Sequence, residues 1–222
     1  MTARSRIRFK YYQHTLQPVP NISASCLISS NKVFLDGQAI FQHPGSAGTF
    51  LDKTYVYFEI AYPKFHKMDN LCKLGFLAAE ILMKGRSHEK KYRESETGLI
   101  LSNSHSSLDV DLKYVKTISS GASPSLFVYT LPNIVIGEIS IRHHFKGENA
   151  FFVFKHFDGK FMADYVLGLF ENNLIKSCIC GWVDILKEDY RAILFLVETD
   201  GLENTMPFNA ENLNKLNQLD HE

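Results

Sequence analysis

Four cysteines, nine histidines and one serine-rich turn are the residues of this 222-residue sequence whose types and spacing could do chemistry. Cys26, Cys72, Cys178 and Cys180 form no C-x-x-C pair. The nearest two, in Cys178-Ile179-Cys180, are expected on opposite faces of a strand. Neither a zinc site nor a disulfide framework is therefore expected, and the thiols read as buried apolar side chains in a reducing compartment. His143 and His144 are neighbours in sequence and do not share a face of a helix or a strand, so they do not read as a metal pair. Ser102, Ser104 and His105 follow an apolar run without the glycine frame of a nucleophile elbow, and read as turn and cap residues. His156, with Asp158 close behind it, stands before a helical pattern, where an imidazole can act as a general base. No metal and no cofactor are expected.

Composition narrows the partners. Lys plus Arg and Asp plus Glu are 24 each, so the formal net charge is zero and the basic excess of a nucleic-acid binder is missing. The apolar and charged fractions, 45% and 22%, are those of an ordinary globular chain. The longest apolar runs, 150–154 and 192–197, are strand-sized and far short of the roughly 20 residues of a membrane-spanning helix. Arg4, Arg6, Arg8 and Lys10 lead into no signal-peptide core. A cytoplasmic protein with no membrane or nucleic-acid partner is expected. The one basic run, 84–93 (KGRSHEKKYR), is a solvated face or a landing strip for an acidic partner.

The elements that must position these residues follow from pattern. Residues 22–41 alternate around Asp36-Gly37, a hairpin signal, and residues 42–54 predict a loop. Residues 55–61 fit either a strand or a helical lead-in. Asp69 opens a helix over 70–84 with Leu71, Leu74, Ala78 and Ile81 on one face. A charged connector (86–96), a buried strand (97–102) and a second helix through Leu108, Leu112 and Val115 come next. In 126–141, Pro132 excludes a central strand and predicts a loop, then a helix near Asn133. Residues 150–154 (AFFVF) predict a fully buried strand, and Asp158 caps a helix over 159–172. Strands at 174–183 and 191–198 are close enough for a hairpin, and the Asn-rich residues 200–222 predict a polar, loosely attached tail. Pattern alone predicts an α/β sandwich with a mainly parallel sheet.

The ordered set of motifs resembles the N-terminal half of the β-ketoacyl-acyl-carrier-protein synthases, the thiolase-fold condensing enzymes. Met68-Asp69 before a helix and Thr97-Gly98-Leu99-Ile100 before a Ser-rich turn resemble that family. So do Pro132-Asn133, Gly137, Ser140-Ile141-Arg142 and Lys146-Gly147-Glu148-Asn149, against the family's P-N-x-x-x-G-x-x-S-I-R-x-G-x-K-G-P-N. Cys180-Gly181-Trp182-Val183-Asp184 is similar to its A-G-G-x-E strand end. The length and style resemble the truncated ketosynthase-like proteins of bacterial aryl-polyene and flexirubin pathways. The resemblance implies a βαβαβαββ half-domain over 1–199, with 1–60 as an N-terminal strand and hairpin extension.

Two departures shape the function that the resemblance implies. The family's nucleophilic cysteine is the seventh residue after the Asn of K-G-P-N, and that position here is His156. The second half, which supplies the family's catalytic His or Asn partners, does not follow. A pseudoenzyme subunit of fatty-acid or polyketide-type biosynthesis is implied, in the manner of a chain-length factor. Its mate would be a second copy or a full-length ketosynthase. In the family the strand before the nucleophile pairs with its twin across the dimer. That places the association surface on Val128, Tyr129, Thr130, Leu131, Pro132 and Asn133, with Phe151, Phe152, Val153 and Phe154. The other reading of 151–154 is a central strand within one monomer. Two alternatives stand beside the partner subunit. One is an acyltransferase or thioesterase using His156. The other is a non-reacting module for an acyl chain or acyl carrier protein, with Phe127 and Pro132 along an acyl channel.

Overall fold

The computed structural model describes residues 19–199 and 205–218. Arg4, Arg6, Arg8 and Lys10 lie outside the described residues. Two tight turns start the sheet: Ser30 and Asn31 (φ 50° and 60°), then Asp36 and Gly37 (φ 51° and 79°), all left-handed as two-residue hairpins require. They fold β1 (Asn21–Ser29), β2 (Lys32–Leu35) and β3 (Gln38–Gln42) into an antiparallel meander.

The loop expected at 42–54 is instead the start of a helix, α1 (Ala47–Tyr57), capped by Ser46, whose Oγ accepts from the Thr49 N–H at 3.3 Å. Ala47, Phe50, Leu51 and Thr54 are its buried face, and their packing outweighs the modest helix cost of Gly48. Asp69 caps α2 (Asn70–Met83), accepting from the N–H groups of Leu71 and Cys72. Eleven of the fourteen residues of α2 are buried, so it is the central helix of its layer. The expected solvated connector holds a short helix, α3 (His88–Lys91), and both His88 and Tyr92 are buried.

Then follow β4 (Thr97–Asn103), α4 (Leu108–Val115), α5 (Pro124–Phe127), α6 (Ile134–His143), β5 (Asn149–Val153), α7 (Gly159–Glu171), β6 (Ser177–Leu186) and β7 (Asp189–Glu198). The last elements are β8 (Met206–Pro207) and α8 (Ala210–Asn217). The strand order is β3-β2-β1-β7-β6-β4-β5, with β8 beside β1. Parallel pairing is confined to β6-β4-β5, and every other pair is antiparallel.

One core lies between the sheet and α1, α2, α4 and α6; a second lies between the other face and α7 and α8. Alternation along β6 sends Ile179, Val183 and Ile185 to the first and Cys178, Cys180 and Trp182 to the second. Cys178 and Cys180 thus share a face, as residues two apart on a strand must, and the expected opposite placement is corrected. All four cysteines are buried free thiols. Gly181 is required where it stands: at φ 151°, a Cβ would lie 2.0 Å from the Ile193 carbonyl oxygen. The polar tail is also corrected over 205–218, where Phe208 and Leu213 are buried against the α7 layer.

Candidate functional site

β5 is the edge of the sheet. It pairs with β4 alone, Leu99 opposite Asn149 through Asn103 opposite Val153, and its outer side faces no described strand. The fully buried strand predicted for 150–154 is therefore corrected to a half-buried edge, and so is the reading of 151–154 as a central strand within one monomer. Its side chains alternate. Phe152 and Phe154 pack on Phe161 and Tyr165 of α7, with ring centroids 4.8 to 5.1 Å apart, whereas Phe151 packs on the α2–α6 layer. Val153 is 52% exposed.

Through the end of β4, where the Phe154 N–H donates to the Asn103 carbonyl and Asn103 Nδ2 to the Ser106 carbonyl, the edge leads to a segment that presents apolar side chains outward. Phe127 is 60%, Val128 53% and Leu131 58% exposed, while Thr130 and Pro132 are half-buried and Asn133 is exposed. Tyr129 is the buried anchor of the segment. Burial pushes its hydroxyl up to about 12, and the nearby Glu138, Cys72 and Asp69 add to the shift. The Ser107 hydroxyl donates to the Thr130 carbonyl and ties the segment to the start of α4. Phe127 lies on the surface with its ring 5.6 Å from Tyr114.

α4 extends the same surface. Its sequence stripe of Leu108, Leu112 and Val115, continued by Ile118, points away from the core, which takes Val110 instead. Periodicity marks the stripe; it does not say which way the stripe faces.

His156 is exposed in the turn between β5 and α7, three residues before the helix begins, and takes no hydrogen-bond partner among the described residues. The helix N-terminus beside it is already engaged. Asp158 accepts from the Phe161 N–H at 2.8 Å, and a Cβ on Gly159 would meet Asn214 Oδ1 of α8 at 2.4 Å.

The serine-rich turn after β4 meets a partner that sequence did not join to it. Asp184, at the end of β6, accepts from four donors. Its Oδ1 takes the N–H groups of Ser104 (3.1 Å) and His105 (3.0 Å). Its Oδ2 takes the Ser104 hydroxyl and His105 Nδ1, both at 2.8 Å. A nucleophile–base relay would need the serine at Nε2 with the carboxylate at Nδ1. Here both lie on the Nδ1 side, so the three residues clamp the turn rather than form a relay. Asp184→Ala should lower stability by about 2–3 kcal/mol, because several partly buried donors lose their acceptor together. Urea denaturation reads this directly, and an unchanged midpoint would remove the clamp from the account.

Among the described residues, no group of three or more His, Cys, Asp or Glu is placed to hold a metal ion, and no helix is long and apolar enough to cross a membrane.

No family model and no curated protein matches the chain in sequence. Solved structures match in fold. The ishigamide ketosynthase/chain length factor superposes with a TM-score of 0.62 at 15% identity, over 85% of this chain and 64% of that one. A type II PKS acyl-carrier protein in complex with its ketosynthase bound to the hexaketide (AntDE:AntF) gives 0.59 at 12% identity, over 82% and 63%. The structure of the ketosynthase ApeO in complex with its chain length factor ApeC, from Xenorhabdus doucetiae, gives 0.51 at 11% identity, over 92% of this chain and 92% of the matched one. The chain thus spans under two thirds of the first two structures and over nine tenths of the third. At these identities the likeness shows the fold, and the chain has the thiolase-like α/β fold of ketosynthases and chain length factors.

Proposed function

We propose that this chain is a ketosynthase-like partner subunit of fatty-acid or polyketide-type biosynthesis, without condensing activity of its own, that associates through the β5 edge and the adjoining α4–α5 surface. The open β5 edge carries this reading. Exposed strand edges invite pairing unless they are charged, bulged or covered, and this one presents Val153 beside an apolar surface. The mate that fits is a full-length ketosynthase, because the structure matching this chain over almost its whole length is a ketosynthase with its chain length factor. His156 supports the loss of condensing activity. An exposed imidazole without a base to assist it does not replace a thiolate in thioester exchange. On this reading residues 19–199, with 205–218 packed on them, form one thiolase-like half-domain.

Light scattering on the chain, alone and co-expressed with a full-length ketosynthase from the same source, tests the proposal. A mixed complex is expected. The double variant Val128→Asp, Val153→Asp should weaken it at least about a hundred-fold, the effect of burying two unpaired charges at the centre of an interface. A monomer in both samples, or a complex indifferent to the aspartates, would sink the reading. A homodimer would keep the surface and change the mate. Turnover of an acyl thioester that disappears in His156→Ala would replace the subunit with an acyltransferase or thioesterase.

A further inference from the structure

At the far end of β4 from the Ser104–His105 turn, the last turn of α2, the short α3 and the turn after α6 converge on a cleft of about 520 Å³. The seven residues of β4 separate it from that turn by about 20 Å of strand. Its walls are flat rings. His88 lies 4.8 Å from Tyr92 and 5.6 Å from Phe145, and His143 stacks on Phe145 at 5.3 Å with an interplanar angle of 17°. Met83 adds a thioether, which packs well against aromatic faces.

The rings are held in place. Thr97 Oγ1 lies 2.9 Å from His88 Nε2, and His143 Nε2 lies 2.9 Å from the Glu80 carboxylate. Two ion pairs occupy the rim, Arg93 with Glu96 and Lys146 with Glu94, each at 2.6 Å, and Glu89 adds a carboxylate. A charged ligand would have to displace these pairs, whereas an uncharged ring needs only the walls.

We propose that this cleft binds a small, uncharged planar aromatic molecule of about two fused rings. The volume lies in the range of about 300–1,000 Å³ typical of small-ligand sites, and the ring walls offer offset and edge-on stacking at the 4.5–7 Å centroid spacings that aromatic pairs prefer. Nothing in this site depends on the β5 edge, so it stands whether or not the chain is a partner subunit.

The probe is 2-naphthol, titrated into the full chain and followed by its own fluorescence and by amide chemical shifts. Saturable one-to-one binding is expected, with shifts centred on Thr97 and Phe145. Ser95 is exposed at the mouth of the cleft, and Ser95→Trp should plug it and weaken binding at least ten-fold. Should that variant not fold, Phe145→Leu removes the stacking partner and should have the same effect. Val128→Asp should leave binding unchanged. No saturation, shifts centred on Phe127 and Val128, or equal affinity in the plugged variant would each overturn the proposal.

Discussion

A chain ending at residue 204 should be less stable than the full chain by about 3–6 kcal/mol. Phe208 and Leu213 are both buried against the α7 layer, and each large apolar side chain returned to water costs about 1.5–3 kcal/mol. Polar ties go with them: Asn209 caps α8 by accepting from the Asn212 N–H, and the Arg191 guanidinium donates to the Asn217 carbonyl. A domain of this size is stable by only about 5–15 kcal/mol, so the shortened chain should lie close to unfolding. Phe157, Trp182 and Phe195, which share that core, should then bind a hydrophobic dye. Leu213→Asp in the full chain should reproduce the loss.

The consequence for function is architectural. α7 and α8 cover one face of the sheet from within the same chain. On the proposed reading, association uses the β5 edge and the α4–α5 surface, which are separate from this face. Truncation should therefore lower the urea midpoint while leaving sensitivity to Val128→Asp, Val153→Asp intact. Equal midpoints for the long and short chains would mean that the α7 face is closed in some other way, a second copy being the first to look for.

What sequence made legible was local. α2 and α7 each carry a cap residue and a periodic apolar face, Pro132 marks where α6 can begin, and β4 and the β6–β7 hairpin are apolar runs of strand length, so short-range physics is enough to find them. α1 is a different case. Ser46 with Ala47, Phe50, Leu51 and Thr54 carries a cap and an i, i+3, i+4, i+7 face, but Pro44, Gly45 and Gly48 weigh toward a loop until the packing is known. Apolar runs also report burial without reporting by what. Residues 150–154 read as a buried strand and form an edge, and the α4 stripe looks outward. No described element covers either of them, and the periodicity of an apolar run does not say which way it faces. The Asp184 clamp joins residues about eighty positions apart in sequence, and that separation hides it. His88 is concealed in a charged run, KGRSHEKKYR, whose neighbours are solvated while its own ring is not.

That buried imidazole makes the fold sensitive to mild acid, and the chain should lose about 3 kcal/mol of stability between pH 6.5 and pH 4. Burial pulls the His88 pKa down to about 4; Glu198 opposes the shift, while His143 and Lys91 reinforce it. In the unfolded chain a histidine takes its proton near pH 6.5. Between those two values the unfolded state binds more protons than the folded one, so stability falls as pH falls, by about 1.4 kcal/mol per unit. Above pH 6.5 neither state is protonated and the effect vanishes. Two carboxylates continue the trend at lower pH. Burial pushes Glu80 up, but His143 and Arg142 more than reverse it. Burial likewise raises Glu198, and the Ser23 hydroxyl and the Lys91 ammonium more than compensate. Both have folded pKa values below their ordinary ones, so the stability they give is present above about pH 4.5 and is lost as pH falls through the folded values. Urea midpoints at pH 7, 5.5 and 4.5 should therefore decline steadily in the native sequence. His88→Gln removes the titrating ring, so whatever it costs at neutral pH, its midpoint should stay nearly flat down to about pH 4.5. Parallel slopes in the two proteins would mean that another group carries the acid sensitivity, and would remove His88 from that role.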